Sequence, residues 1–137
     1  MAHVLSVLVE NRPGVLTRIS GLISRRAFNI ESITAGYTEE PNITRITIVV
    51  NGDDREIEQV TNQLAKLVDV IKIVDLTSVD SLERELVLIK VKALAEKRSE
   101  IVDIVDIFRA KIVDVNRETM VVELTGTQDK IDALCEV

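Results

Sequence analysis

Apolar residues fall along the chain in blocks whose period switches between two and about three and a half, and each switch marks a change of element. His3 to Glu10 is dense in Val and Leu, and its weak alternation predicts a strand buried on both faces. Pro13 sits where a helix can begin. Val15, Leu16, Ile19, Leu22 and Ile23 then recur at helical spacing, with Arg18, Arg25 and Arg26 on the wet side. Asn29 to Thr38 and Ile43 to Val50 are extended runs flanking the turn-forming Glu39-Glu40-Pro41-Asn42, which predicts a hairpin, and Gly36 within the first run predicts a bulge. Gly52 stops the second run. Asp53 and Asp54 can cap a second helix whose stripe is Ile57, Val60, Leu64, Leu67 and Val68, and Val70 to Leu76 closes the unit as a strand. The order is β-α-β-β-α-β, the split βαβ or ferredoxin-like arrangement of the α+β class.

Thr77 to Glu85 is polar and reads as a linker, after which the pattern restarts at Leu86-Val87-Leu88-Ile89-Lys90-Val91. Ser99 to Phe108 supplies a helix, Lys111 to Val115 with Thr119 to Thr125 mimics the hairpin, and Gly126 takes the part of Gly52. Ile131 follows Gly126 at the offset by which Ile57 follows Gly52, and Arg26-Ala27 maps onto Arg109-Ala110, with the second hairpin about nine residues shorter. The expected domains are therefore 1–78 and 79–137. Eleven residues follow Gly126, whereas the last strand of the first copy begins eighteen after Gly52. The second domain is thus expected to lack its last strand, and the natural chain to continue beyond Val137.

Composition narrows the function. A net charge of −6 and a pI near 4.9 leave no basic stripe for phosphates or an anionic membrane. The same fold order serves RNA-recognition modules, but Val4 to Val9 and Arg45 to Val50 carry none of the aromatics on which such modules stack bases. Cys135 is the single cysteine, so no intrachain disulfide forms, no Cys/His group has zinc spacing, and a reducing cytoplasm fits. The apolar run at the N-terminus is too short to span a bilayer. Phe28, Tyr37 and Phe108 are the only aromatics, so a binding pocket here is small and aliphatic.

The segment Asn11-Arg12-Pro13-Gly14-Val15-Leu16 joins the first strand to the first helix. A helix N-terminus offers unpaired N–H groups and partial positive charge to a carboxylate, and Gly14 removes the side chain that would block approach. Asn11 and Asn29 offer amide oxygens to an ammonium group, and Val15, Leu16, Phe28 and Ile30 can wall an aliphatic pocket. Burying a valine-sized side chain there contributes about 1.5–3 kcal/mol. From the residues alone a simple capping turn is the favoured reading of this loop, and a strand-entry role that of Asn29.

Several stretches resemble the small regulatory subunit of acetolactate synthase (acetohydroxyacid synthase), a member of the ACT domain family. In the first domain they are Leu5-Ser6-Val7-Leu8-Val9-Glu10-Asn11, Pro13-Gly14-Val15-Leu16, Phe28-Asn29-Ile30-Glu31-Ser32-Ile33-Thr34, Gly52-Asp53-Asp54 and Lys66-Leu67-Val68-Asp69-Val70. In the second they are Glu83-Arg84-Glu85-Leu86, Leu88-Ile89-Lys90-Val91, Ile107 to Val115 and Leu124-Thr125-Gly126. The resemblance implies a non-catalytic regulatory chain that binds valine between the ACT domains of a homodimer. Asn11, Gly14, Val15 and Leu16 would come from one subunit, and Asn29 and Ile30 from the other. It implies a catalytic partner subunit holding thiamine diphosphate, FAD and Mg²⁺, which this chain activates and subjects to feedback inhibition; this chain itself is expected to hold no cofactor or metal.

Two other readings fit parts of the chain. An ACT regulator could read isoleucine, leucine or serine for another enzyme, since one methylene is worth only about 1–3 kcal/mol of discrimination. An acylphosphatase-like enzyme would use Asn11 and Arg12 on the same loop, but Pro13 removes an N–H its anion cradle needs. The remaining residues have ordinary readings. His3 is a lone histidine unable to build a triad or metal site, Cys135 a small core residue, Arg25 and Arg26 a solvated helix end, and Glu83, Glu85, Asp103 and Asp106 wet-face charges.

Overall fold

In a computed structural model, residues 2–26 and 28–137 are described, and they divide into two units, Met1–Ser81 and Leu82–Val137. The first contains β1 (Ala2–Glu10), α1 (Val15–Arg25), β2 (Ile30–Tyr37), β3 (Ile43–Asn51), α2 (Asp54–Ala65) and β4 (Val70–Asp75), followed by a single 3-10 turn at Leu76–Ser78. Its sheet has the order β2-β3-β1-β4, with every neighbouring pair antiparallel. The second unit holds β5 (Glu85–Lys92), α3 (Arg98–Ile107), β6 (Lys111–Val115), β7 (Thr119–Gly126) and α4 (Gln128–Glu136), with sheet order β5-β7-β6.

Both helices of the first unit cover one face of its sheet. Leu5, Val7 and Val9 of β1 and Ile46, Ile48 and Val50 of β3 meet Val15, Ile19 and Ile23 of α1 and Ile57, Val60 and Leu64 of α2 in a single core. The helical spacing of four and the strand spacing of two each bring one stripe to that layer. Asp53 caps α2 through a full capping box with Glu56, as an acid at that position should.

Several sequence expectations need correction. The opposite face of β1 is only partly covered: Val4 and Leu8 are half-buried there, because the helices lie on one side of an antiparallel sheet. Pro13 lies in the turn two residues before α1, and Gly14 is the N-cap. Gly36 pairs regularly with Arg45, and the irregularity of β2 falls between Ile30 and Ser32 instead. α2 ends at Ala65, which leaves Val68 out of its stripe and 88% exposed. Cys135 is exposed rather than in the core. Ala27, matched to Ala110 in the repeat, lies outside the described residues.

The second unit repeats the first as far as its chain goes, since β6-β7-β5 matches β2-β3-β1. Among the described residues nothing stands beside β5 where β4 flanks β1. In the first unit β4 delivers Val70 and Ile73 to the core. In the second, Leu86 and Leu88 lie on the face of β5 opposite to that of the buried Met120, Val122 and Leu124, and are exposed. Ile89, Val91, Ile104 and Val122 line an apolar recess of about 370 Å³.

Ile19 is fully buried between the sheet and α2. Ile19→Ala is expected to cost about 2–5 kcal/mol, read as a lower urea midpoint for the first unit.

Candidate functional site

The chain leaves β1 at Glu10 and must turn within four residues to start α1. Gly14 makes this possible, with φ +84°, in the left-handed region that side-chain-bearing residues rarely adopt. A Cβ there would also stand 3.1 Å from Nη1 of Arg18. The turn is held at both ends: the Asn11 amide donates to the Asn42 carbonyl at 2.8 Å, and the Arg18 amide to the Gly14 carbonyl at 3.0 Å.

α1 opens without a side-chain cap. The Val15 amide makes only a long 3.4 Å contact with the Arg12 carbonyl, and the amides of Leu16 and Thr17 meet no acceptor among the described residues. These are the orphan donors of a helix start, pointing out of an uncapped, solvent-facing end. Leu16 beside them is 46% exposed, an aliphatic side chain left outside the core. Val15 turns its side chain inward and offers the loop only its backbone.

Asp69 was not singled out as functional in the sequence, yet it organises this end of the unit. Its carboxylate is buried, accepts from Nη2 of Arg18, and lies 3.8 Å from Nη1 of Arg12. Arg12 is also paired with Glu10 at 2.8 Å, and the Glu10 amide donates to the Asp69 carbonyl. The only cue was an acid amid the apolar Leu67-Val68 and Val70-Ile71. One buried carboxylate thus fixes two guanidinium groups beside the open helix end, where a polar recess of about 380 Å³ lies between Asn11, Arg12, Asn42, Ile43 and Ile71.

Asn29 and Ile30 are elsewhere. Ile30 pairs with Val50, and Val50 with His3, so β2 begins at the end of the sheet where β1 also begins. Asn11 follows the last residue of β1, at the other end. Seven strand steps at about 3.3 Å place the two groups more than about 20 Å apart within one chain. Asn11, Gly14, Val15 and Leu16 are therefore brought together, and Asn29, Ile30 and Phe28 are not brought to them. The near end of β2 instead packs Phe28 against the core beside Gly52.

The two halves of the chain match two family models. Residues 5–72 match the small-subunit-like ACT domain of acetohydroxyacid synthase, and residues 84–137 match the small subunit of acetolactate synthase. A relative from Archaeoglobus fulgidus, named a probable acetolactate synthase small subunit, is 53% identical over 137 residues, which is all of this chain and 86% of that protein. The chain belongs to the acetolactate synthase small-subunit family. The acetolactate synthase small subunit of Mycolicibacterium smegmatis is 53% identical over 135 residues, covering 98% of this chain and 79% of its own length. A crystal structure of the Thermotoga maritima small subunit aligns with a TM-score of 0.89 and 43% identity over 99% of this chain and 85% of its own. Within this family the chain is a regulatory rather than a catalytic subunit, and its fold is that of ACT domains. Among the described residues no helix is long and apolar enough to cross a membrane.

Asp69→Asn removes the charge that both guanidinium groups share. We expect a loss of about 1–3 kcal/mol, seen as a lower thermal midpoint with an unchanged far-ultraviolet spectrum.

Proposed function

We propose that this chain senses valine between the ACT domains of a homodimer and passes the signal to the catalytic subunit of acetolactate synthase. The observation that carries the reading is the uncapped start of α1, where the Leu16 and Thr17 amides stand beside an exposed aliphatic side chain. Those amides suit a carboxylate, and Leu16 suits the hydrocarbon end of the ligand. The ammonium group would be met by Asn11 and by Asn29 of the second protomer, with Ile30 of that protomer closing the aliphatic side. The wide separation of Asn11 from Asn29 within one chain supports a site that takes one set of residues from each of two copies.

In this reading valine favours one arrangement of the dimer, and the catalytic subunit distinguishes that arrangement from the unliganded one. The catalytic subunit carries thiamine diphosphate, FAD and Mg²⁺, and the complex works in the cytoplasm. This chain activates it in the absence of valine and imposes feedback inhibition in its presence. A coupling of about 1–3 kcal/mol changes affinity several-fold or more and acts equally in both directions.

Titration calorimetry should therefore give different valine affinities with and without the catalytic subunit; equal affinities, or a strictly monomeric chain indifferent to every aliphatic amino acid, would remove the proposal. Gly14→Asp places at the N-cap a carboxylate that competes for the same amides. Valine affinity should fall roughly tenfold, about 1.4 kcal/mol, and feedback inhibition that survives this change would contradict the assignment of the loop.

A further inference from the structure

The far end of the first unit holds a second polar cluster, unconnected with the α1 loop. His3 is 5% exposed, and its Nδ1 lies 3.0 Å from Oδ2 of Asp75. Burial pushes the Asp75 carboxyl up, but hydrogen bonds from the Thr77 amide and side chain and from His3 outweigh this and hold it below its ordinary value. A carboxylate can only accept, so Nδ1 turns a hydrogen toward Asp75, and in the tautomer that carries its hydrogen there Nε2 is an acceptor.

That nitrogen is buried and finds no hydrogen-bond partner among the described residues. A charged neighbour is Oδ1 of Asp54, 3.6 Å away, itself an acceptor. Both border a recess of about 490 Å³ that Glu58, Asn62, Asp75 and Thr77 also line. In that tautomer the buried Nε2 lone pair faces the Asp54 carboxylate, which is unfavourable unless a cation or donor stands between them.

We propose that this recess binds a divalent first-row transition cation, held by Nε2 of His3 and the carboxylate of Asp54. Asp75 then plays the part of the carboxylate that orients a ligating imidazole through its other nitrogen. The imidazole favours cobalt, nickel or zinc over magnesium or calcium, which prefer all-oxygen sets. Glu58, one helical turn after Asp54 and exposed, lies on the same face of α2 and can swing toward the cation. No three His, Cys, Asp or Glu side chains converge on one point among the described residues. The cation therefore keeps water in its remaining positions, and binding is weak and exchangeable.

The test uses the full chain, free of tags and carrying Cys135→Ser so that no thiol competes. Cobalt(II) is added in excess while the visible ligand-field bands and the unfolding temperature are followed. The proposal expects ligand-field bands that differ from those of the free aquo ion, and a higher unfolding temperature. Asp54→Asn, at the exposed start of α2, should weaken the response several-fold, and His3→Gln should abolish it. Should His3→Gln fail to fold, Asp54→Asn decides alone. No cobalt response in the parent chain means that only water or a proton occupies Nε2, and this overturns the proposal, as does a response unchanged by Asp54→Asn. Valine plays no part in the measurement, so its outcome is separate from that of the sensing site.

Discussion

The structure of the first unit depends on the pairing of β1 between β3 and β4. Nine residues of β1 are matched one for one with β3, from Ala2 opposite Asn51 to Glu10 opposite Ile43. This register puts Leu5, Val7 and Val9 on the same face as Ile46, Ile48 and Val50, and that face is the floor on which both helices rest. A slip of one residue would turn Val4, Ser6 and Leu8 inward and expose the present core, so the pairing is strongly specified by burial. Everything at the ends of the sheet inherits its position from this register.

The consequence for function is geometric. Because β1 is central and antiparallel to its neighbours, the loop after Glu10 and the start of β2 are held at opposite ends of one sheet. Each end carries its own polar chemistry: Asp69 with Arg12 and Arg18 beside the uncapped helix, and His3 with Asp75 and Asp54 across the far end. Both clusters are built around an ionisable side chain taken out of water, and in both the strands supply the rigidity that fixes it. The difference lies in satisfaction, since Asp69 has its guanidinium partners whereas one nitrogen of His3 has no hydrogen-bond partner among the described residues.

Among the described residues of the second unit no strand takes the place that β4 has beside β1. β5 pairs with β7 as β1 pairs with β3, but it is an edge strand where β1 is central, and an apolar recess opens among β5, α3 and α4. In the first unit the fourth strand covers the corresponding edge and adds two side chains to the core.

The sequence by itself determined the order of elements, the repeat and the helix stripes apart from the end of α2, because apolar period and capping residues are local properties of the chain. The Asn11–Leu16 loop was also legible, since a glycine and a proline between a strand and a helix announce a tight turn. Burial and pairing that depend on distant partners were not legible in the sequence. His3 looked solitary because Asp75 is 72 residues away, and Asp69 looked ordinary because Arg18 is 51 residues away. The bulge expected at Gly36 went instead to Ile30–Ser32, where the register with β3 shifts. Charge pairing, register and the distance between Asn11 and Asn29 were decided only when the strands aligned, because each joins residues that local periodicity cannot connect.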